Sequence, residues 1–313
     1  MSRAFIFPGQ GAQTIGMGKA LCQAYPAARA VFEEVDAALG ESLSALIWEG
    51  EAETLTLTQN AQPALMATSL AAMRALQSEG VQVGAASFVA GHSLGEYSAL
   101  TAAGSLGVAD AARLLRTRGL AMQSAVPVGE GAMAALLGLD LATAREVAAE
   151  AAADGGVCAA ANDNDPGQVV ISGSKAAVER AVDIAKARGA KRAMMLPVSA
   201  PFHCALMAPA AETMARALAE VEIKAPAVPL VANVRAQAVT DPAQIRALLV
   251  EQVTGSVRWR ESVEFMVAQG VTEFWEIGAG KALSGMVRRI NRASGVHSIG
   301  TPDDVAKVLA VAQ

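Results

Sequence analysis

The chain is short of cysteine, of histidine, of net positive charge and of long apolar runs, and each shortage closes off a class of function. Its three cysteines, Cys22, Cys158 and Cys204, are odd in number, far apart and without metal-type spacing. They read as reduced core thiols of a cytosolic protein, not as a disulfide framework or a metal site. Acidic residues outnumber basic ones, 30 to 25, for a net charge of −5. That balance argues against a general nucleic-acid binder. No apolar run reaches the ~18 residues of a membrane span, so none is expected. Met1-Ser2-Arg3 leads straight into a short apolar segment, too short for a signal peptide. Repeats and low-complexity tails are missing as well. The expectation is a soluble, cytoplasmic protein.

What is present is a chain of 313 residues, 53% hydrophobic and 18% charged, with much alanine. It is long enough for one large or two unequal domains with a proper core, and it is globular and helix-rich. Basic residues cluster locally at Arg113, Arg116 and Arg118, at Lys186, Arg188, Lys191 and Arg192, and at Arg288, Arg289 and Arg292.

The most informative stretch is Phe88-Val89-Ala90-Gly91-His92-Ser93-Leu94-Gly95-Glu96-Tyr97. A short apolar segment runs into Gly-x-Ser-x-Gly and then into an Ala/Leu-rich helical run, the strand–turn–helix context of a nucleophile elbow. A serine pushed out on so tight a turn needs glycine two positions away on each side. The turn also aims the first free N–H groups of the helix at the place where an oxyanion would form. The competing reading is a glycine-rich turn before a helix.

Around it the pattern is α/β. Strands are expected at Ala4–Phe7, Ser87–Ala90, Pro229–Ala232 and Glu273–Ile277. Helices are expected at Lys19–Tyr25, Ala27–Leu39, Ala61–Glu79, Asp110–Ser124, Ala205–Glu220, Pro242–Gln252 and Glu261–Ala268. A further helix should run through Arg289, and one more should end the chain. Pro63 would sit in the first turn of its helix, where proline is tolerated. The loop Pro8–Gln13 lacks the third glycine of a dinucleotide fingerprint, because position 14 is Thr14; it reads as backbone held close to something. Gly278-Ala279-Gly280-Lys281 is no P-loop, since no Ser or Thr follows the lysine. Between about Val126 and Pro197 the order changes to βαββαβ: Ala132–Leu137, Leu141–Ala153, Val157–Ala161, Gln168–Ser172, Lys175–Ala187 and Lys191–Leu196. Asn162–Gly167 reads as a turn. That order is a ferredoxin-like signature, inserted into a larger α/β unit. The expected organisation is residues 1–126 and 198–313 as a catalytic domain, with 127–197 as the insertion.

A serine needs a base, and the chain offers three histidines. His92 adjoins Ser93 on the turn, so its ring should point away. His297, in a polar segment near the C-terminus, is the second candidate base behind His203, with a solvated surface histidine as the competing reading. His203 follows a rigid Pro-containing loop and precedes a helix, whose N-terminus would keep it neutral. No acid between Ser93 and His203 (Asp154, Asp163, Asp165 or Asp183) has a persuasive context, so a Ser–His dyad oriented by a carbonyl or amide is expected. Cys204, beside His203, should diverge from it.

Five blocks then converge: Phe7-Pro8-Gly9-Gln10-Gly11-Ala12-Gln13, Gly91 to Tyr97, Arg118-Gly119-x-x-Met122-Gln123, Asn162-x-x-x-Pro166-Gly167-Gln168 through Gly173, and Ser199-Ala200-Pro201-Phe202-His203. In order and spacing the sequence resembles the malonyl-CoA:acyl carrier protein transacylase family over nearly its whole length. That resemblance implies an α/β-hydrolase-like core with an inserted ferredoxin-like subdomain. It also implies transfer of malonyl to the phosphopantetheine thiol of acyl carrier protein through a malonyl-serine, in fatty-acid biosynthesis, without metal or organic cofactor. Ser93 would be the nucleophile, His203 its base, and the backbone N–H groups of Gln10 and Leu94 the oxyanion hole. Arg118 would hold the substrate carboxylate, Gln252 would orient His203 through its carbonyl, and Asn162 would shape the site. Phe202 would crowd an α-methyl branch, making methylmalonyl a poor substrate.

Arg118 makes physical sense in that role, since a guanidinium meets a carboxylate through two charge-assisted bonds and a neutral acyl group would leave it unpaired. Acyl carrier proteins are acidic, so Lys191 and Arg192, or Arg288 and Arg289, are candidate docking residues. A monomer is expected. The alternatives are a thioesterase or esterase with the same elbow, a non-catalytic carrier-binding protein, and an acyltransferase of polyketide or polyunsaturated-lipid pathways.

Overall fold

The computed structural model describes residues 2–198 and 200–312, so Ser199 of the last motif lies outside the described residues. The strands are, in chain order, β1 (Arg3–Phe7), β2 (Phe88–Gly91), β3 (Gly131–Leu137), β4 (Cys158–Asp165) and β5 (Gln168–Ser174), then β6 (Arg192–Met195), β7 (Leu230–Ala232), β8 (Gln237–Val239), β9 (Glu273–Ile277) and β10 (Gly295–Ile299). Six of them form one sheet in the order β10-β9-β1-β2-β7-β8. All its pairings are parallel except β7 with β8. A strand covered on both faces should be apolar without alternation, and Ala4 to Phe7 are each fully buried. Register places Phe7 opposite Gly91, so the loops leaving β1 and β2 emerge side by side. The protein is thus of the α/β class, with a crevice at the carboxyl ends of adjacent parallel strands.

The other four strands form an antiparallel sheet in the order β4-β5-β3-β6. Its side chains alternate as a half-buried sheet demands. Ala134, Leu136, Val169 and Ile171 join a small core with Val147, Val178 and Ala181 of the helices Leu141–Ala153 and Lys175–Ala187. Met133, Ala135 and Val170 face the opposite way, into the main cleft. β4 is tied to the rest of the molecule by Val257, whose N–H donates to Ala161 (2.8 Å) and whose carbonyl accepts from Asp163 (2.9 Å).

Several expectations shift. The stretch Asn162–Asp165 is strand, not turn, and only Pro166-Gly167 turns the chain. Asp163 and Asp165 are buried there because Arg260 and Arg289 reach them at 2.9 and 2.7 Å. Pro63 lies inside the helix Thr58–Ser78, not in its first turn. After His203 the chain makes one 3₁₀ turn, Ala205–Met207, before the helix Ala208–Ala219. Two short helices (Leu43–Glu49 and Ala52–Thr56) and the edge strands β8 and β10 were not expected. Among the described residues no helix is long and apolar enough to cross a membrane.

Candidate active site

The glycines of the elbow are there because backbone occupies the space of their side chains. A Cβ on Gly91 would lie 1.9 Å from the carbonyl of Gly95, and one on Gly95 would lie 2.3 Å from the Phe7 oxygen. Gly9 is as constrained, its missing Cβ 2.6 Å from the His92 oxygen, which is how the β1 loop comes against the elbow. Between the glycines Ser93 takes a φ of 53°, a left-handed conformation costing about 1–3 kcal/mol in a non-glycine residue. Asn233 holds it there. Its Oδ1 accepts from the Ser93 N–H at 2.8 Å and its Nδ2 donates to the Gly91 carbonyl at 2.6 Å.

His203 is also left-handed, with φ 58°, and its Nε2 lies 2.8 Å from Ser93 Oγ. Its Nδ1 lies 2.9 Å from the Gln252 carbonyl and 3.2 Å from that of Gly255, at the end of the helix Pro242–Thr254. Carbonyls only accept, so Nδ1 carries the proton and the Nε2 lone pair faces the serine. Burial, and next the charge of Arg118, push the His203 pKa down to about 3. The imidazole is therefore kept neutral by desolvation and a neighbouring cation, not by a helix N-terminus as its sequence position suggested.

His92 turns its Nε2 to Asn164 Oδ1 at 2.9 Å and leans on Trp259. His297 sits on β10 against Trp275. Cys204 donates to the Pro201 carbonyl and diverges from its neighbour.

Arg118 is 1% exposed. It arrives by helix packing: a Cβ on Gly119 would lie 2.4 Å from Gln59 Cα, so the helix Val108–Ser124 approaches Thr58–Ser78 as closely as backbones can. The guanidinium donates to Gln62 Oε1 at 2.7 Å, Gln252 Oε1 at 2.9 Å and Ser93 Oγ at 3.1 Å, and Tyr97 lies beneath it. Burial pulls its pKa below the usual arginine value. On the same helix Arg113 is an exposed charge paired with Asp110, and Arg116 is half-buried and paired with Glu41.

Behind these groups lies a network in which the sequence points to Gln252 and Gln10, but not to the Gln252 side chain's part in it, nor to Glu96, Gln62 and Asn233. Gln252, fully buried, donates from Nε2 to the Ser93 carbonyl at 3.0 Å and to Glu96 Oε2 at 2.6 Å. Glu96, 1% exposed, is pushed up to about 7 by burial. On the other side Gln62 donates to Thr58 Oγ1, which donates to Gln10 Oε1 at 3.0 Å. Glu96 stood within the elbow motif and Gln62 within a helix that proved buried nearly all round. Asn233 carried no local signal.

Ser93, His203, Arg118, Gln10, Leu94, Asn162 and Phe202 line one cleft of about 540 Å³, with Gln252 just behind it. Lys191 and Arg192 are exposed on the segment leading to the cleft residues Leu196 and Val198. Arg288 and Arg289 are exposed on the helix Ala282–Ile290, whose Leu283 and Met286 line the cleft. Arg289 is the one tied to Asp165. Among the described residues no group of His, Cys, Asp and Glu is placed to hold a metal ion. A serine hydroxyl bonded to a neutral imidazole, beside a buried guanidinium, is equipped for covalent acyl transfer with an anionic acyl group.

The profile of the family described as "Acyl transferase domain" matches residues 4–300. The malonyl CoA-acyl carrier protein transacylase of Bacillus subtilis (strain 168) is 49% identical over 302 residues, 96% of this chain and 94% of its own. The crystal structure of acyl-carrier-protein-S-malonyltransferase from Bartonella henselae superposes with a TM-score of 0.97 at 56% identity, covering 99% of each chain. A type II PKS acyl-carrier protein in complex with its malonyl-transacylase gives 0.96 at 43% identity, over 99% of this chain and 100% of that one.

Proposed function

The chain belongs to the acyl transferase domain family, and we propose that its Ser93 and His203 carry a two-step exchange through a malonyl-serine. It is an acyltransferase that moves malonyl from malonyl-CoA to acyl carrier protein, as in fatty-acid synthesis. The observation that carries the reading is the 2.8 Å contact of Ser93 Oγ with a deprotonated His203, beside a buried Arg118 whose partners are neutral.

In the first half His203 Nε2 takes the hydroxyl proton while Ser93 Oγ attacks the thioester carbonyl. The tetrahedral oxyanion rests on the backbone N–H groups of Gln10 and Leu94, both at the cleft. Collapse expels the coenzyme A sulfur, which receives the proton from His203. In the second half the phosphopantetheine thiol gives its proton to His203 and attacks the malonyl ester, and Ser93 leaves with the proton. The carbonyls of Gln252 and Gly255 keep Nδ1 protonated throughout, in the place an acid holds in a triad. Arg118 takes the malonyl carboxylate as its ion pair. Asn162 and Phe202 shape the acyl end of the cleft, the ring crowding an α-methyl branch.

We read residues 127–197 as a ferredoxin-like insertion in an α/β-hydrolase-like core spanning 1–126 and 198–313. The βαββαβ order, the strand order β4-β5-β3-β6 and the separate small core support it. The reaction as written calls on no metal or organic cofactor, and a cytoplasmic monomer that binds no nucleic acid fits the reading. Lys191, Arg192 and Arg288 are the candidate contacts for an acidic carrier, with Arg289 partly committed to Asp165.

Intact-protein mass spectrometry after brief incubation with malonyl-CoA tests the reading. The expected result is a malonyl adduct that is absent in Ser93→Ala and is discharged faster by holo acyl carrier protein than by water. Discharge by water alone would make the protein a hydrolase. No adduct on the folded protein would leave a carrier-binding protein.

A further inference from the structure

Arg118 is a buried cation whose hydrogen-bond partners among the described residues, Gln62, Gln252 and Ser93, are all neutral. A buried charge needs compensation nearby. The carboxylate that can supply it stands one carboxamide away. Gln252 Oε1 accepts from Arg118 Nη2 at 2.9 Å, while Gln252 Nε2 donates to Glu96 Oε2 at 2.6 Å. The amide dipole thus has its negative end on the guanidinium and its positive end on the carboxylate. Glu96 is as buried as Arg118, and its other polar contact among the described residues is the Asn233 N–H at 3.4 Å.

We propose that Glu96, acting through the Gln252 carboxamide, is the resting counter-ion of Arg118, and that it takes a proton from solvent when a substrate brings its own carboxylate to the arginine. The proposal rests on the assignment of Arg118 to the malonyl carboxylate. The reasoning is charge balance in a low-dielectric pocket: one cation cannot neutralise two carboxylates, and the one in direct contact wins. Glu96 is then an uncompensated buried anion. Burial already raises it to about 7 against the hydrogen bonds from Gln252 and Asn233 and, as a smaller contribution, the charge of Arg118, so losing that charge moves it further up.

Among the described residues, the charge that acts on Glu96 is that of Arg118 from the helix Val108–Ser124. Tyr97, its neighbour in the chain, feels Glu96 in turn. Gln252 and Asn233, reaching in from the helix Pro242–Thr254 and from the end of β7, are neutral amides. The acylation itself is proton-neutral: the Ser93 hydroxyl proton ends on the coenzyme A thiol. Uptake at Glu96 is therefore an additional proton, converting its carboxylate to the acid.

The test mixes the protein with excess malonyl-CoA in weakly buffered solution containing a pH indicator, at mildly alkaline pH where Glu96 begins charged. Adduct in the same samples is counted by intact mass. Wild type should take up roughly one proton more per malonyl-Ser93 than Glu96→Gln, and subtracting the variant cancels ionisation of the released thiol. Wild type acetylated from acetyl-CoA, normalised to its acetyl adduct, should show no such excess, because acetyl carries no carboxylate. This second comparison needs no variant and stands even where Glu96→Gln folds poorly. Equal uptake by wild type and Glu96→Gln, or equal uptake per adduct for malonyl and acetyl, overturns the proposal. Failure to form any malonyl-Ser93 would instead overturn the transfer reading, and the proposal with it.

Discussion

Arg118→Ala separates a contact seen in the structure from the role proposed for the same guanidinium. It donates to Ser93 Oγ at 3.1 Å, a contact that serves any acyl group, and in the proposed reaction it pairs with a carboxylate that only some acyl groups have. The first contact is a charge-assisted hydrogen bond at the long distance of 3.1 Å, and its loss costs about 1.5 kcal/mol, roughly a tenfold fall for every substrate. The second would leave a carboxylate buried without its partner, which costs about 3–5 kcal/mol. At about 1.4 kcal/mol per decade, that is roughly two to three and a half decades in kcat/KM, paid by malonyl-CoA alone. Acetyl-CoA should stay within about tenfold of wild type, since a neutral acyl group no longer faces an unpaired cation. The assay is quenched single-turnover acylation of Ser93, followed by intact mass, with the two thioesters run in parallel. A thermal melt controls for folding, because Gln62 and Gln252 lose a donor in the variant. Equal falls for both thioesters would refute the reasoning: the arginine would then act on the nucleophile and not on the acyl carboxylate.

Gly119→Ala should cost about 1–3 kcal/mol in a thermal or urea melt, because the new Cβ would lie 2.4 Å from Gln59 Cα and must push two helices apart. The same shift draws Arg118 away from Gln62, so single-turnover malonylation should slow more than acetylation. Asn233→Ala leaves the Ser93 N–H and the Gly91 carbonyl without their partner at a strained turn. About 1–3 kcal/mol per group is expected, and slower acylation at unchanged KM, read by denaturation and burst kinetics. The two buried titratable groups should pull stability in opposite directions with pH. His203 falls from 6.5 to about 3, so its contribution is complete above its unfolded value and is lost as pH drops toward 3. Glu96 rises from 4.5 to about 7, so its contribution is complete below 4.5 and is lost as pH climbs through 7. Urea titrations should therefore show Glu96→Gln gaining on wild type by up to about 3 kcal/mol across that second window, and a pH-independent difference would count against a buried, titrating Glu96.

The elbow was legible in the sequence because its logic is local and steric. Gly91 and Gly95 exclude side chains where backbone from the same turn or from β1 must pass, and nothing but glycine fits. The central strands were legible for a similar reason, since short continuous apolar runs such as Ala4–Phe7 suit a sheet covered on both faces. Where partners are distant the local signal misled. Asn162-Asp163-Asn164-Asp165 has the composition of a turn, yet it is buried strand, because Arg260 and Arg289, 97 and 124 residues away, neutralise its acids. β10 has a half-polar sequence and exists through its pairing with β9.

The residue types of the site were therefore determined by the sequence itself: a serine at a glycine-flanked turn, a histidine after a proline loop, an arginine beside a glycine. Their chemistry was decided by tertiary structure. Arg118 differs from Arg113 and Arg116 on the same helix by its surroundings, being 1% exposed where Arg113 is exposed and Arg116 half-buried. His203 is neutral through burial and the charge of a residue on another helix. Gln252, Asn233 and Glu96 acquire their places from contacts across 137 to 159 residues. Desolvation and long-range hydrogen bonding depend on what surrounds a group in space, and a linear pattern carries no record of that until the chain has folded.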